Sequence, residues 1–174
     1  MSTSDLKKIK LLLLDVDGVL TRGDIVYDDN GVQSKTFNSK DGVGIRLLMD
    51  AGIPVGLVTG RKSAALEHRC NNLGINLLYD GVHDKAALLG EISTRTGFAP
   101  SEIAFVGDDL PDLPIMNLVG VAVAVADAVP TVCRMADIVT TAKGGRGAVR
   151  EICEAILDAK GLMRGILEGY GVAF

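Results

Sequence analysis

Along this chain, compact apolar runs alternate with longer stretches in which apolar residues return every third or fourth position. The runs cover 9–14, 55–58, 77–79, 103–106, 121–125 and 138–139. They lack the polar alternation of a half-exposed strand, so they read as strands covered on both faces, as in a parallel sheet. The intervening stretches 44–51, 63–73, 85–96, 112–118 and 147–160 carry the helical period. Strand followed by helix, repeated, predicts an α/β fold with a doubly wound parallel sheet.

Two regions depart from that rhythm. Residues 23–37 hold two β-prone segments, 25–27 and 32–37, around Asp28-Asp29-Asn30-Gly31, and Asn-Gly between such segments signals a hairpin. An isolated two-stranded hairpin is marginal in water, so this one is expected to pack on its own domain or pair with another subunit. The second region, 161–174, has four glycines with Tyr170 and Phe174, and reads as a mobile tail that docks on a neighbouring chain. The whole chain, 1–174, is expected to be one domain.

Composition narrows the partners. The chain has 174 residues, 48% of them hydrophobic and 23% charged, with a net charge of −4. No basic run exceeds Lys7-Lys8, which excludes the footprint of a nucleic-acid binder. Cys70, Cys133 and Cys153 lack metal or redox spacing and read as thiols in a reducing compartment. Residues 1–10 lead into too short an apolar stretch for a signal peptide or membrane span, so a cytoplasmic location is expected.

The chemistry-bearing residues fall where apolar strands stop, and ligands in open α/β sheets bind beyond those carboxyl ends. Asp15-Val16-Asp17-Gly18 follows the first run, Thr59-Gly60-Arg61 the second, and Gly107-Asp108-Asp109-Leu110-Pro111-Asp112 the fourth. Lys85 opens a helix after the third run. Carboxylates converging on one mouth repel unless a cation holds them, and hard oxygen ligands suit Mg²⁺. In that arrangement Asp15 is the candidate nucleophile toward phosphorus and Asp17 the general acid and base. Thr59 and the amides after it would hold phosphoryl oxygens, Lys85 would offset charge, and Asp108 would complete the metal site. Asp109 and Asp112 read equally as helix-start residues and as supports of the site.

These motifs, Asp15-x-Asp17-Gly18-x-x-Thr21, Thr59-Gly60-Arg61, Lys85 and Gly107-Asp108-Asp109-x-x-Asp112, resemble in order those of the haloacid dehalogenase superfamily. The hairpin and the stretches 37–46, 59–63, 69–75 and 144–151 are similar to its cap-less group, which includes the 3-deoxy-manno-octulosonate (KDO) 8-phosphate phosphatases. The resemblance implies a Rossmann-like core without a cap domain, an aspartyl-phosphate intermediate, and Mg²⁺ held by Asp15, the Asp17 main-chain carbonyl and Asp108. It further implies sugar-acid and phosphate contacts from Asp17, Asn38, Ser39, Lys40, Asp41, Gly42, Arg46, Gly60, Arg61, Arg69 and Lys85. The implied assembly is a homotetramer in which hairpins form a barrel and neighbours help cover each site. Lys40 departs from the arginine common in that group, and a lysine lacks the planar fork that grips a carboxylate with two hydrogen bonds.

Other readings stay open on sequence grounds: a nonulosonate 9-phosphate or broadly specific sugar phosphatase, a non-catalytic oligomerisation module, and a response-regulator-like signalling domain. His68 and His83 read as surface residues. Residues 143–147 lack the order of a phosphate loop and read as a turn that starts the last long helix.

Overall fold

A computed structural model describes residues 3–173; Met1, Ser2 and the tail residue Phe174 lie outside the described residues. In chain order the elements are α1 (Thr3–Leu6), β1 (Leu11–Leu14), β2 (Val26–Tyr27), β3 (Gln33–Ser34), α2 (Ser39–Asp50), β4 (Val55–Val58), α3 (Ala64–Leu73) and β5 (Leu77–Tyr79). There follow α4 (Lys85–Thr96), β6 (Ile103–Gly107), α5 (Leu113–Met116), β7 (Val121–Ala124), α6 (Pro130–Met135), β8 (Ile138–Val139), α7 (Ala148–Ala159) and α8 (Met163–Gly169).

Six strands form one parallel sheet in the order β5-β4-β1-β6-β7-β8. The uninterrupted apolar runs have the expected cause: every residue of β1, β4, β6 and β7 is buried. β1 is central, with Leu12 beside Val55 on one side and Ala104 on the other. The chain winds outward from β1 through β4 to β5, then returns to β6 and winds outward the other way. Loops leaving β1 and β6 therefore diverge, and a crevice opens between them at the switch point. One helical layer packs α2 on α7, with α1 and α3 adjoining; α4 packs on α5 in another group. Among the described residues the hairpin is the insertion between β1 and α2, and no cap domain is present.

Differences from the sequence reading have local causes. α2 begins five residues earlier than predicted because Asn38 caps it, accepting from Lys40 N at 2.8 Å, and because its packing on α7 overrides the poor helix propensity of Gly42 and Gly44. The hairpin ladder is shorter than predicted. Gly31 N donates to Asp28 O and Asp28 N to Val32 O, giving a three-residue loop at Asp29-Asn30-Gly31. Helix α6, entered through Pro130, was too short to leave a periodic trace. Part of the predicted irregular tail is α8, whose Met163 and Ile166 pack against the core, while Tyr170 and Val172 are exposed. The cysteines are free thiols, and burial raises the pKa of Cys70 and of Cys153. No helix among the described residues is long and apolar enough to cross a membrane.

Candidate active site

Asp15 is the first residue beyond β1, and its amide still donates to Val106 O at 2.9 Å, so the sheet itself fixes the carboxylate over the switch point. The chain then turns sharply. Thr21 Oγ1 accepts from Gly18 N at 3.4 Å and Gly23 N at 3.2 Å and reaches Val16 O at 3.4 Å, closing the turn from inside. Gly18 has φ +98°, and a Cβ there would overlap the Asp108 carboxylate, so this position needs glycine for both its backbone and its neighbour. The 143–147 loop lies over the same turn. Gly145 N donates to Val19 O at 2.8 Å, and a Cβ on Gly144 would collide with Gly18 O. As read from sequence, this loop leads into α7, with Gly147 at its N-cap.

From β6 come Asp108 and, one turn on, Asp112. Asp112 is buried and fully engaged: Oδ1 accepts from Lys85 Nζ at 2.6 Å, and Oδ2 from the amides of Asp108 at 2.9 Å and Asp109 at 3.3 Å. Lys85, the first residue of α4 after the Asp84 cap, also donates to Asp15 Oδ1 at 2.6 Å. One buried ammonium thus bridges the carboxylates after β1 and β6. Thr59, buried beyond β4, accepts from Arg61 N at 3.4 Å.

The electrostatics are those of crowded carboxylates. Burial pushes Asp15 up to about 6 against the opposing pull of Lys85. Burial, then the charges of Asp15, Asp112 and Asp109, push Asp108 up to about 8. Burial acts to lower the Lys85 pKa, but Asp15 and Asp112 outweigh it and the net direction is upward. Oxygens of Asp15, Asp108 and Asp112 lie within 4.8 Å of one another. Such a hard-oxygen set fits a divalent cation of the Mg²⁺ type, whose charge would relieve the repulsion. Within that set both Asp112 oxygens already accept hydrogen bonds, Asp15 Oδ1 accepts from Lys85, and Asp108 is the most strongly repelled.

A cavity of about 300 Å³ gathers Asp15, Asp17, Thr59, Gly60, Arg61, Lys85, Asp108, Asp109 and Asp112. Val82, His83 and Pro111 complete its lining, so His83, read from sequence as a surface residue, stands at the mouth. The other predicted contacts do not line it. Asn38 Nδ2 donates to Gly145 O at 3.4 Å, Ser39 and Lys40 are exposed, and Gly42 is buried near Arg69. Asp41 is buried and accepts from Arg150 N at 2.8 Å and Gly147 N at 3.3 Å, holding the start of α7. Arg46 donates to Asn72 O at 2.6 Å, and Arg69 to Asn38 O at 3.3 Å while lying over the Phe37 ring.

Sequence reading missed Lys35, whose ammonium pairs with Asp17 Oδ1. The available signal was the two-residue alternation that turns Gln33, Lys35 and Phe37 inward and Ser34 and Thr36 outward.

Residues 77–152 match the haloacid dehalogenase-like hydrolase family. The 3-deoxy-D-manno-octulosonate 8-phosphate phosphatase of Escherichia coli K12 is 48% identical over 155 residues, 89% of this chain and 82% of that one. The chain belongs to the haloacid dehalogenase-like hydrolases. Solved structures of family members superpose closely. The phosphatase of that name from Yersinia pestis gives a TM-score of 0.92 at 45% identity, covering 94% of this chain and 88% of that one. Its counterpart from Moraxella catarrhalis, in complex with magnesium ion, phosphate ion and KDO, gives 0.94 at 36% identity, covering 97% of each chain. A cobalt-bound form of the Haemophilus influenzae enzyme gives 0.89 at 40% identity, covering 94% of this chain and 99% of that one.

Proposed function

We propose that this chain is a Mg²⁺-dependent phosphomonoesterase that converts 3-deoxy-D-manno-octulosonate 8-phosphate to the free sugar acid and phosphate. The observation that carries the reading is the convergence of Asp15, Asp108 and Lys85 in one cavity at the switch point of the sheet. The 48% identity to a phosphatase of that substrate supports the substrate class.

Asp15 attacks phosphorus while Asp17 gives its proton to the departing sugar oxygen, so the P–O ester bond breaks as the aspartyl-phosphate forms. Water then attacks the same phosphorus, Asp17 takes its proton, and phosphate leaves with Asp15 restored as a carboxylate. Lys85 holds Asp15 and offsets incoming negative charge. Thr59 and the Gly60 and Arg61 amides receive phosphoryl oxygens, and the Arg61 side chain stands beside Asp17 at 3.9 Å. The residues proposed to hold Mg²⁺ are Asp15, Asp17 through its main-chain carbonyl, and Asp108. When bound, the ion supplies charge neutralisation and orientation for the phosphoryl group. Asp109 and Asp112 order the loop behind it.

The assembly proposed is a homotetramer. Val26, Tyr27 and Val32 of the hairpin are 52%, 57% and 62% exposed, an apolar surface that calls for a neighbour. In that assembly Asn38, Ser39, Lys40, Arg46 and Arg69 would serve substrate from outside a single chain's cavity, while the buried Asp41 and Gly42 support them from behind. Unpaired thiols and the substrate class support a cytoplasmic location.

The test is Mg²⁺-dependent phosphate release across eight- and nine-carbon sugar-acid phosphates and common sugar phosphates, with molecular mass measured on the same sample. The octulosonate ester is expected to be turned over fastest, by a tetramer. Markedly faster turnover of another sugar phosphate would replace the substrate. A phosphoaspartate that persists would favour a signalling role.

A further inference from the structure

Lys35 stands just beyond β3, on an element otherwise turned to solvent, yet its side chain is 2% exposed. A buried ammonium needs a partner, and the partner is Asp17 Oδ1. The other oxygen, Asp17 Oδ2, is also buried and has no hydrogen-bond partner; Arg61 Nε stands 3.9 Å from it. Asp17 lines the cavity, and Lys35 does not. One carboxylate oxygen is therefore anchored from the hairpin side, and the second is left without a partner on a residue that lines the cavity.

We propose that Lys35 is a positioning residue: it fixes Asp17 Oδ1 so that Oδ2 is presented to the oxygen of the departing alcohol. This rests on Asp17 being the acid and base of the proposed phosphatase. The anchor comes from a two-stranded ladder with only two residue pairs, Val26 with Ser34 and Tyr27 with Gln33. Such a ladder is marginal alone, so whatever steadies the hairpin also steadies the acid. A side chain free to rotate would lose the alignment on which proton transfer in the transition state depends.

The experiment compares kcat/KM for a sugar (alkyl) phosphate and for p-nitrophenyl phosphate in Lys35→Met, Lys35→Arg and Asp17→Asn. This parameter reports the step in which the alcohol departs, and only the alkyl ester needs a proton to leave. Lys35→Met is expected to lower kcat/KM on the order of 10²-fold for the alkyl ester, within the range of a positioned acid, and under about 3-fold for the aryl ester. Lys35→Arg, which keeps the cation, is expected to recover most of the alkyl activity. Equal losses on both esters, or no loss, would overturn the proposal. Circular dichroism checks folding; if Lys35→Met does not fold, Lys35→Gln carries the same comparison, with the same selective loss expected. Asp17→Asn separates the two ideas. Without leaving-group selectivity in that variant, the acid role of Asp17 fails; with it there and not at Lys35, only the positioning role fails.

Discussion

The crevice at the centre of the sheet and the hairpin beside it complete themselves by different means. In the crevice the buried cation comes from the chain itself: Lys85 bridges Asp15 and Asp112, and Asp112 receives the amides that order the Asp108 turn. On the hairpin, Val26, Tyr27 and Val32 face solvent over a ladder too short to stand alone. One region is ordered by contacts within the chain and the other asks for a surface outside it. Substitutions in the first should change chemistry and stability, whereas those in the second should change assembly.

The largest expected effect is at Asp15. Asp15→Asn should reduce turnover by more than about 10⁴-fold, as removal of a nucleophile does, while thermal unfolding shows an intact fold because Lys85 keeps Asp112. Unchanged phosphate release would exclude Asp15 from the reaction. Lys85→Met comes next. It strands two buried carboxylates and should cost about 3–5 kcal/mol in urea unfolding, together with loss of turnover. A loss under about 1 kcal/mol would mean that the pair is solvated, as exposed ion pairs are.

A smaller effect follows from the raised pKa values of Asp108 and Asp15. The folded, metal-free protein holds protons that the unfolded chain releases, so its stability is full below the ordinary carboxylate range and falls as pH rises to about 8. Mg²⁺ replaces those protons. It should therefore raise the melting temperature more at pH 8 than at pH 5, as calorimetry would show; an equal rise at both would break the link to these carboxylates. The smallest effect on fold stability belongs to the hairpin. Val32→Lys should change subunit stability by no more than about 0.5 kcal/mol, since the position is exposed. The same variant should lower the molecular mass by light scattering, and retention of a tetramer would place the interface elsewhere.

Much of this was legible in the chain because the sheet is covered on both faces. Buried parallel strands must be apolar throughout, so β1, β4, β6 and β7 announce themselves, and the polar residues at their ends stand out. Asp15, Thr59 and Asp108 could thus be named together before their geometry was known, and Lys85 joined them through the family resemblance. What stayed hidden depends on packing between distant segments. The start of α2 is set by a cap and by α7, against the local preference of its glycines. Asp41 reads as a polar residue near the site, yet it serves α7 across the fold. Lys35 and His83 are unremarkable in sequence and acquire meaning only from what folds against them.

The 143–147 loop presses on the Gly18 turn so closely that Gly144 leaves no room for a methyl group. The consequence is a practical division of the molecule for anyone redesigning it. Arg61 and His83 are exposed at the cavity's rim, and replacing them leaves that turn in place, as one changes a lens in its mount. A graft that replaced residues 143–147 from a distant homologue would move the mount itself, and with it Asp15, more than a hundred positions earlier in the chain.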